Sequence, residues 1–111
     1  MKTGNNGHLP EYPPFDGYGG KVYPEPNRNG KRWVWLGAES YGGYSGNSIY
    51  FDRENNSFIQ DFYTWGVADD AEERYHGSIV RSREEVLRIT HYPSEAFQNV
   101  MGRMPDDYNR K

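Results

Sequence analysis

The residues best suited to chemistry in this chain are a histidine flanked by opposite charges, a tyrosine-glycine-serine loop and a short acidic run. General acid–base catalysis needs two titratable groups set to opposite tasks, often with a cation to meet developing charge. His76, with Glu73 and Arg74 close by in sequence, supplies those residue types. A small metal-free hydrolase of ribonuclease-like type could be built on them. The same inventory is ordinary for a domain of this size, so the signal is thin. His8, His76 and His91 are far apart, and none has a second ligand at i+2 or i+4 that would form a chelate. No metal and no cofactor is therefore expected.

The stretch ESYGGYSGNS (residues 39–48) raises the question of a phosphate cradle. A Walker loop requires G-x-x-x-x-G-K-[ST] opening a helix. With Gly46 as the second glycine, Tyr41 stands where the first is needed and Asn47 replaces the lysine. The segment also leads toward a strand, so no helix amino end faces an anion. The remaining reading is a loop between strands that presents Tyr41 and Tyr44, amphipathic rings with little conformational entropy to lose on contact. The acidic run Asp69, Asp70, Glu72 and Glu73 lacks the alternating oxygens and glycine of a calcium loop. Charge of that kind steers and orients encounter with a basic surface. Trp33, Trp35 and Trp65 could also offer ring faces to a sugar, which keeps a carbohydrate-binding domain in view.

These candidates sit in a chain of 111 residues with net charge −3 and a pI near 5.6. The length bounds the protein to a single domain. An acidic balance argues against nucleic acid as a partner, because phosphate contacts demand a basic surface. Cysteine is absent, which removes disulfides and thiol chemistry and fits a cytoplasmic setting. No apolar stretch approaches the roughly 20 residues that span a bilayer, and the first residues carry no apolar signal region. Leu, Ile, Val and Phe make up only about a sixth of the chain, while aromatic residues reach 16%. The expected core is accordingly built on Trp, Tyr and Phe, with rings left over for the surface.

The positioning elements read as an α+β domain, strands first and helices after. Residues 1–20 form an irregular Pro/Gly/Tyr-rich arm, because Pro10, Pro13 and Pro14 remove donors and force extended backbone. Residues 21–105 form the domain, and 106–111 a flexible tail. Four to five antiparallel strands are expected at about 21–25, 31–37, 48–52, 57–64 and 78–81. Asn29-Gly30 is a hairpin signal between the first two. Trp33 and Trp35 alternate with Val34 and Leu36, so both faces of that strand are apolar. Two short helices, about 83–90 and 94–104, should cover one face of the sheet. Ser82-x-x-Glu85 is a capping box for the first, and Phe97, Val100, Met101 and Met104 recur at helical spacing in the second.

The balance favours a protein-binding module over an enzyme: an inhibitor or neutralising, immunity-type protein that docks on a larger, basic protein. Tyr41, Tyr44, Asp69, Asp70, Glu72 and Glu73 are the expected contacts. A two-faced apolar sheet or an open edge strand could equally close a homodimer.

Overall fold

The computed structural model describes residues 11–65 and 72–108. Five strands form one antiparallel sheet: β1 (Trp33–Ala38), β2 (Ser45–Asp52), β3 (Ser57–Thr64), β4 (Arg74–Arg81) and β5 (Tyr92–Pro93). Their spatial order is β4-β3-β2-β1-β5. Helix α1 (Arg83–Ile89) follows β4, and α2 (Phe97–Met101) follows β5. The α+β architecture read from the sequence is the architecture found.

One face of the sheet meets the helices. Alternation puts Val34 and Leu36 of β1, Ile49 and Phe51 of β2, and Phe58 of β3 on that side. Leu36 and Ile49 pack with Val86 and Leu87 of α1 and Phe97 and Met101 of α2, all essentially inaccessible. The capping box that starts α1 is present in both directions: Ser82 Oγ accepts from the Glu85 amide, and the Glu85 carboxylate accepts from the Ser82 amide. The expected aromatic core is corrected in part. Phe62, Tyr75 and Phe97 are buried, and Phe51 and Phe58 pack on the cluster under the helices, but Trp33 and Trp35 share the opposite parity of β1 and turn away from it.

The other face is covered in part by the chain before β1. Pro14 bridges Ser78 in parallel: Pro13 O accepts from the Ser78 amide (2.6 Å) and the Phe15 amide donates to Ser78 O (3.1 Å). A proline suits the middle of that bridge, whose only donor on the arm side is Phe15. The outer edge of β4 is thereby blunted. Tyr23 then pairs with Tyr75, its amide donating to Tyr75 O at 2.8 Å. From there the strap must travel from one edge of the sheet to β1 near the other, so it crosses β3 and β2.

This corrects the strand expected at 21–25. Pro24 and Pro26 have no N–H for a ladder, and the segment gives one bridge to β4 and no hairpin with β1. The outer neighbour of β1 is β5, through Gly37–Pro93 and Ala38–Tyr92. Asn29-Gly30 still turns the chain, but from the strap into β1: Asn27 Oδ1 accepts from the Asn29 amide, Gly30 has φ of 97°, and Gly30 O accepts from the Trp33 amide.

Candidate functional site

The strap is fastened by charge. Arg28 is buried in it and lies on buried Asp61 of β3, with N–O distances of 2.9 and 3.2 Å. Asp61 also accepts from Ser78 Oγ (2.5 Å), which in turn bonds Tyr75 Oη. Burial opposes the Arg28 charge, but the Asp61 hydrogen bond and charge outweigh it and raise the guanidinium pKa. Nearer the start of β1, Arg32 forks onto Asp52 at 2.7 and 2.8 Å and reaches Glu11 and Glu54. Tyr12 Oη and Asn55 Nδ2 donate to the same Asp52 carboxylate. The Arg32 bond, foremost, holds Asp52 well below the usual carboxylate range against the cost of burial. Both guanidinium groups stand over the Trp33 ring, 4.3 and 4.5 Å from its centroid, at cation–π distance.

Crossing the sheet, the strap divides its second face. On one side lies a cavity of about 280 Å³ between Pro13, Pro24, Trp33 and Tyr75. On the other lies a cleft of about 310 Å³. Ser48 and Tyr50 of β2 and Tyr63 of β3 line it, together with Tyr41, Trp65, Glu25 of the strap and Glu73. Burial, helped by the Asp61 charge, pushes the Tyr50 and Tyr63 phenols up, so both remain protonated donors.

Local sequence explains the cleft. The Trp65 indole lies across Gly46, where a Cβ would come within 2.9 Å of the ring. Trp65 Nε1 donates to Gly43 O (3.0 Å), and the Trp65 amide to Tyr44 O (3.0 Å). The loop 40–44 is fixed from the other side by Asn47, whose side chain accepts from the Glu39 amide and donates to Ser40 O. The glycine-rich stretch is therefore a loop, 40–44, that runs into β2 at Ser45 and is held by the tryptophan that follows β3.

Charge in the cleft is unbalanced. Arg28 reaches its wall but is neutralised by Asp61. Among the described residues, neither Glu25 nor Glu73 forms an ion pair. Burial raises the Glu73 pKa, and the Glu25 charge adds to it. Beside the cleft the aromatic surface continues. Tyr41 is 59% exposed and packs on Tyr92, with centroids 5.0 Å apart; Tyr92 is 53% and Trp35 46% exposed.

Of the residues singled out in the sequence, Tyr41 and Glu73 line this one cleft, Tyr44 is exposed on the adjoining loop, and Glu72 is exposed next to Glu73. Asp69 and Asp70 lie outside the described residues. His76 is buried elsewhere. Its Nε2 is 2.6 Å from Thr64 Oγ1, its Nδ1 is 3.2 Å from Lys21 O, and the Tyr18 ring meets it edge-on. Its neighbours Tyr18 and Phe62 belong to the helix-side face, whereas Glu73 lines the cleft on the other. Arg74 is exposed where β4 begins, its backbone paired with Thr64. The set His76, Glu73 and Arg74 is thus not gathered at one point. Glu25 and Tyr92 were not singled out as contacts, and Trp65 only as a ring face for a sugar. The Trp65–Gly46 spacing was the available signal for one of them, but only pairing of β2 with β3 makes it a contact. Among the described residues no group of three His, Asp or Glu side chains could hold a metal, and no helix is long and apolar enough to cross a membrane. Comparison with known proteins finds no matching family model, no matching curated protein and no matching solved structure.

Proposed function

We propose that this chain is a protein-docking module, with the open part of its second sheet face as the contact surface. One observation carries the reading: Tyr41 and Tyr92 pack together and stay exposed, as does Trp35 of β1, on a sheet face that the strap covers only in part. Large rings at the centre of a patch with a polar, charged surround are the usual anatomy of an interface hot spot. The partner expected is a protein with a basic contact segment. Charge complementarity argues for it, since Glu25, Glu72 and Glu73 border the aromatic surface without a cation of their own among the described residues. An inhibitory or neutralising role, blocking the basic surface of a larger protein, is the form of docking proposed.

The test is affinity capture from the cell that encodes the chain, followed by direct titration of the purified partner. The Trp35→Ala/Tyr92→Ala variant should bind at least about tenfold more weakly, the loss of one hot-spot residue being worth 2 kcal/mol or more. Capture of nothing beyond what the variant captures, or equal affinity of the two, overturns the reading. So does saturable binding of a soluble glycan at Trp35 in place of a protein.

A further inference from the structure

The geometry points to the cleft between Trp65 and Glu73 as a socket for a single arginine side chain of the partner. This rests on the docking reading and gives its central contact a chemistry. Three features converge. The cavity is concave and aromatic rings line it: Tyr50, Tyr63 and the Trp65 indole. Cations bind over such faces, indole best of all. Its lining also carries two carboxylates, Glu25 and Glu73, close enough for one to act on the titration of the other, and neither has a counter-charge among the described residues. Among the described residues of the wall the one cation is already spent: Arg28 is held bidentate by Asp61. A cationic occupant would therefore relieve repulsion that the free protein retains.

Arginine fits better than lysine. A planar guanidinium can lie on an indole and still present its edge to carboxylates, and it sheds water more readily than a compact ammonium. The protein uses the same device internally, where two guanidinium groups stand over the Trp33 ring. Gly46 is the positioning residue. A methyl group there would meet the Trp65 ring at 2.9 Å and push the indole from its seat.

The experiment titrates N-acetyl-arginine-methylamide, and its neutral isostere N-acetyl-citrulline-methylamide, into the full chain. The indole N–H resonance of Trp65, assigned with Trp65→Phe, is followed by NMR. Arginine should shift it saturably and citrulline should not. Glu73→Gln and Glu25→Gln should each weaken the arginine response at least about threefold, and Gly46→Ala should reduce it while the other two indole resonances stay in place. Equal shifts with citrulline, no saturable shift up to the solubility limit, or unchanged affinity in both glutamine variants overturns the inference. The two proposals separate cleanly. If the partner is captured through Trp35 and Tyr92 but arginine leaves Trp65 unmoved, docking stands and the socket falls. If arginine binds and no partner is lost in the Trp35→Ala/Tyr92→Ala variant, the socket stands and the docking surface falls.

Discussion

The two faces of the sheet are built by different physics. Under the helices, Leu36, Ile49, Val86, Leu87, Phe97 and Met101 are buried against each other, and their stabilisation scales with apolar area removed from water. Under the strap, the anchors are Arg28–Asp61 and Arg32–Asp52, with Tyr12, Ser78 and Asn55 completing the carboxylates' hydrogen bonds. Buried ion pairs gain little over an apolar filling, yet they cost heavily when one member is removed. Shape follows from this. Apolar packing closes tightly over Leu36 and Ile49, with a hollow lined by Phe51, Phe58 and Val100 beside it. A strap held at two charged points leaves space on either side, and one of those spaces is the candidate site.

The contrast can be broken from either side. On the strap face, Asp61→Ala should cost about 3–5 kcal/mol by stranding the Arg28 guanidinium. The joint replacement Arg28→Met/Asp61→Leu should restore most of that loss. On the helix face, Phe97→Ala should also cost about 3–5 kcal/mol, but no second substitution of matching charge can rescue it. Urea unfolding of the three variants decides. A double replacement no more stable than Asp61→Ala would mean that the ion pair has no such partner-stranding logic.

Gly77→Ala should come next, at about 1–3 kcal/mol. Its φ is +110°, and a Cβ would lie 2.7 Å from Pro14 O and 2.8 Å from Pro13 O. The damage belongs to the strap alone. Amides of Phe15 and Ser78 should lose protection from hydrogen exchange, while those of α1 keep theirs.

Acid should separate the faces as well. Asp52 is depressed in the folded protein, so its contribution is complete above the unfolded carboxylate pKa of about 3.9 and is lost as pH falls below it. Proteolysis between Tyr12 and Arg32 should therefore speed up below about pH 4 before helical circular dichroism declines. Simultaneous loss of both signals would show the faces to be one cooperative unit. The smallest effect expected is Ser82→Ala, about 1 kcal/mol from the missing helix cap, read as a lower thermal midpoint with strap protection unchanged.

Much of the helix side was legible in the sequence. The capping box at Ser82, the alternation in β1 and the helical spacing of Phe97, Val100 and Met101 are local patterns, and local geometry enforces them. The strap side was not. Asn29-Gly30 flanked by strand-like residues reads as a hairpin by every nearby cue. What overrides it is Tyr23 finding Tyr75, fifty residues later, while prolines deny the segment a ladder beside β1. The fate of the rings was hidden for the same reason. Parity says that Trp33 and Trp35 share a face, but not which face the helices take.

The sequence alone determined β1 to β4 in outline, α1 with its Ser82 cap and the helical spacing of α2, and it singled out Tyr41 with an acidic neighbourhood as candidate contacts. Those depend on residues a few positions apart, whose spacing is set by the backbone repeat. Only the tertiary structure decided that the strap crosses the second face, that Glu25 and Trp65 come to line one cleft, and that His76 is locked away from Glu73. Each of those outcomes joins segments distant in the chain. They are settled by which long-range contacts best repay the entropy of closing the intervening loops, and no local pattern encodes that balance.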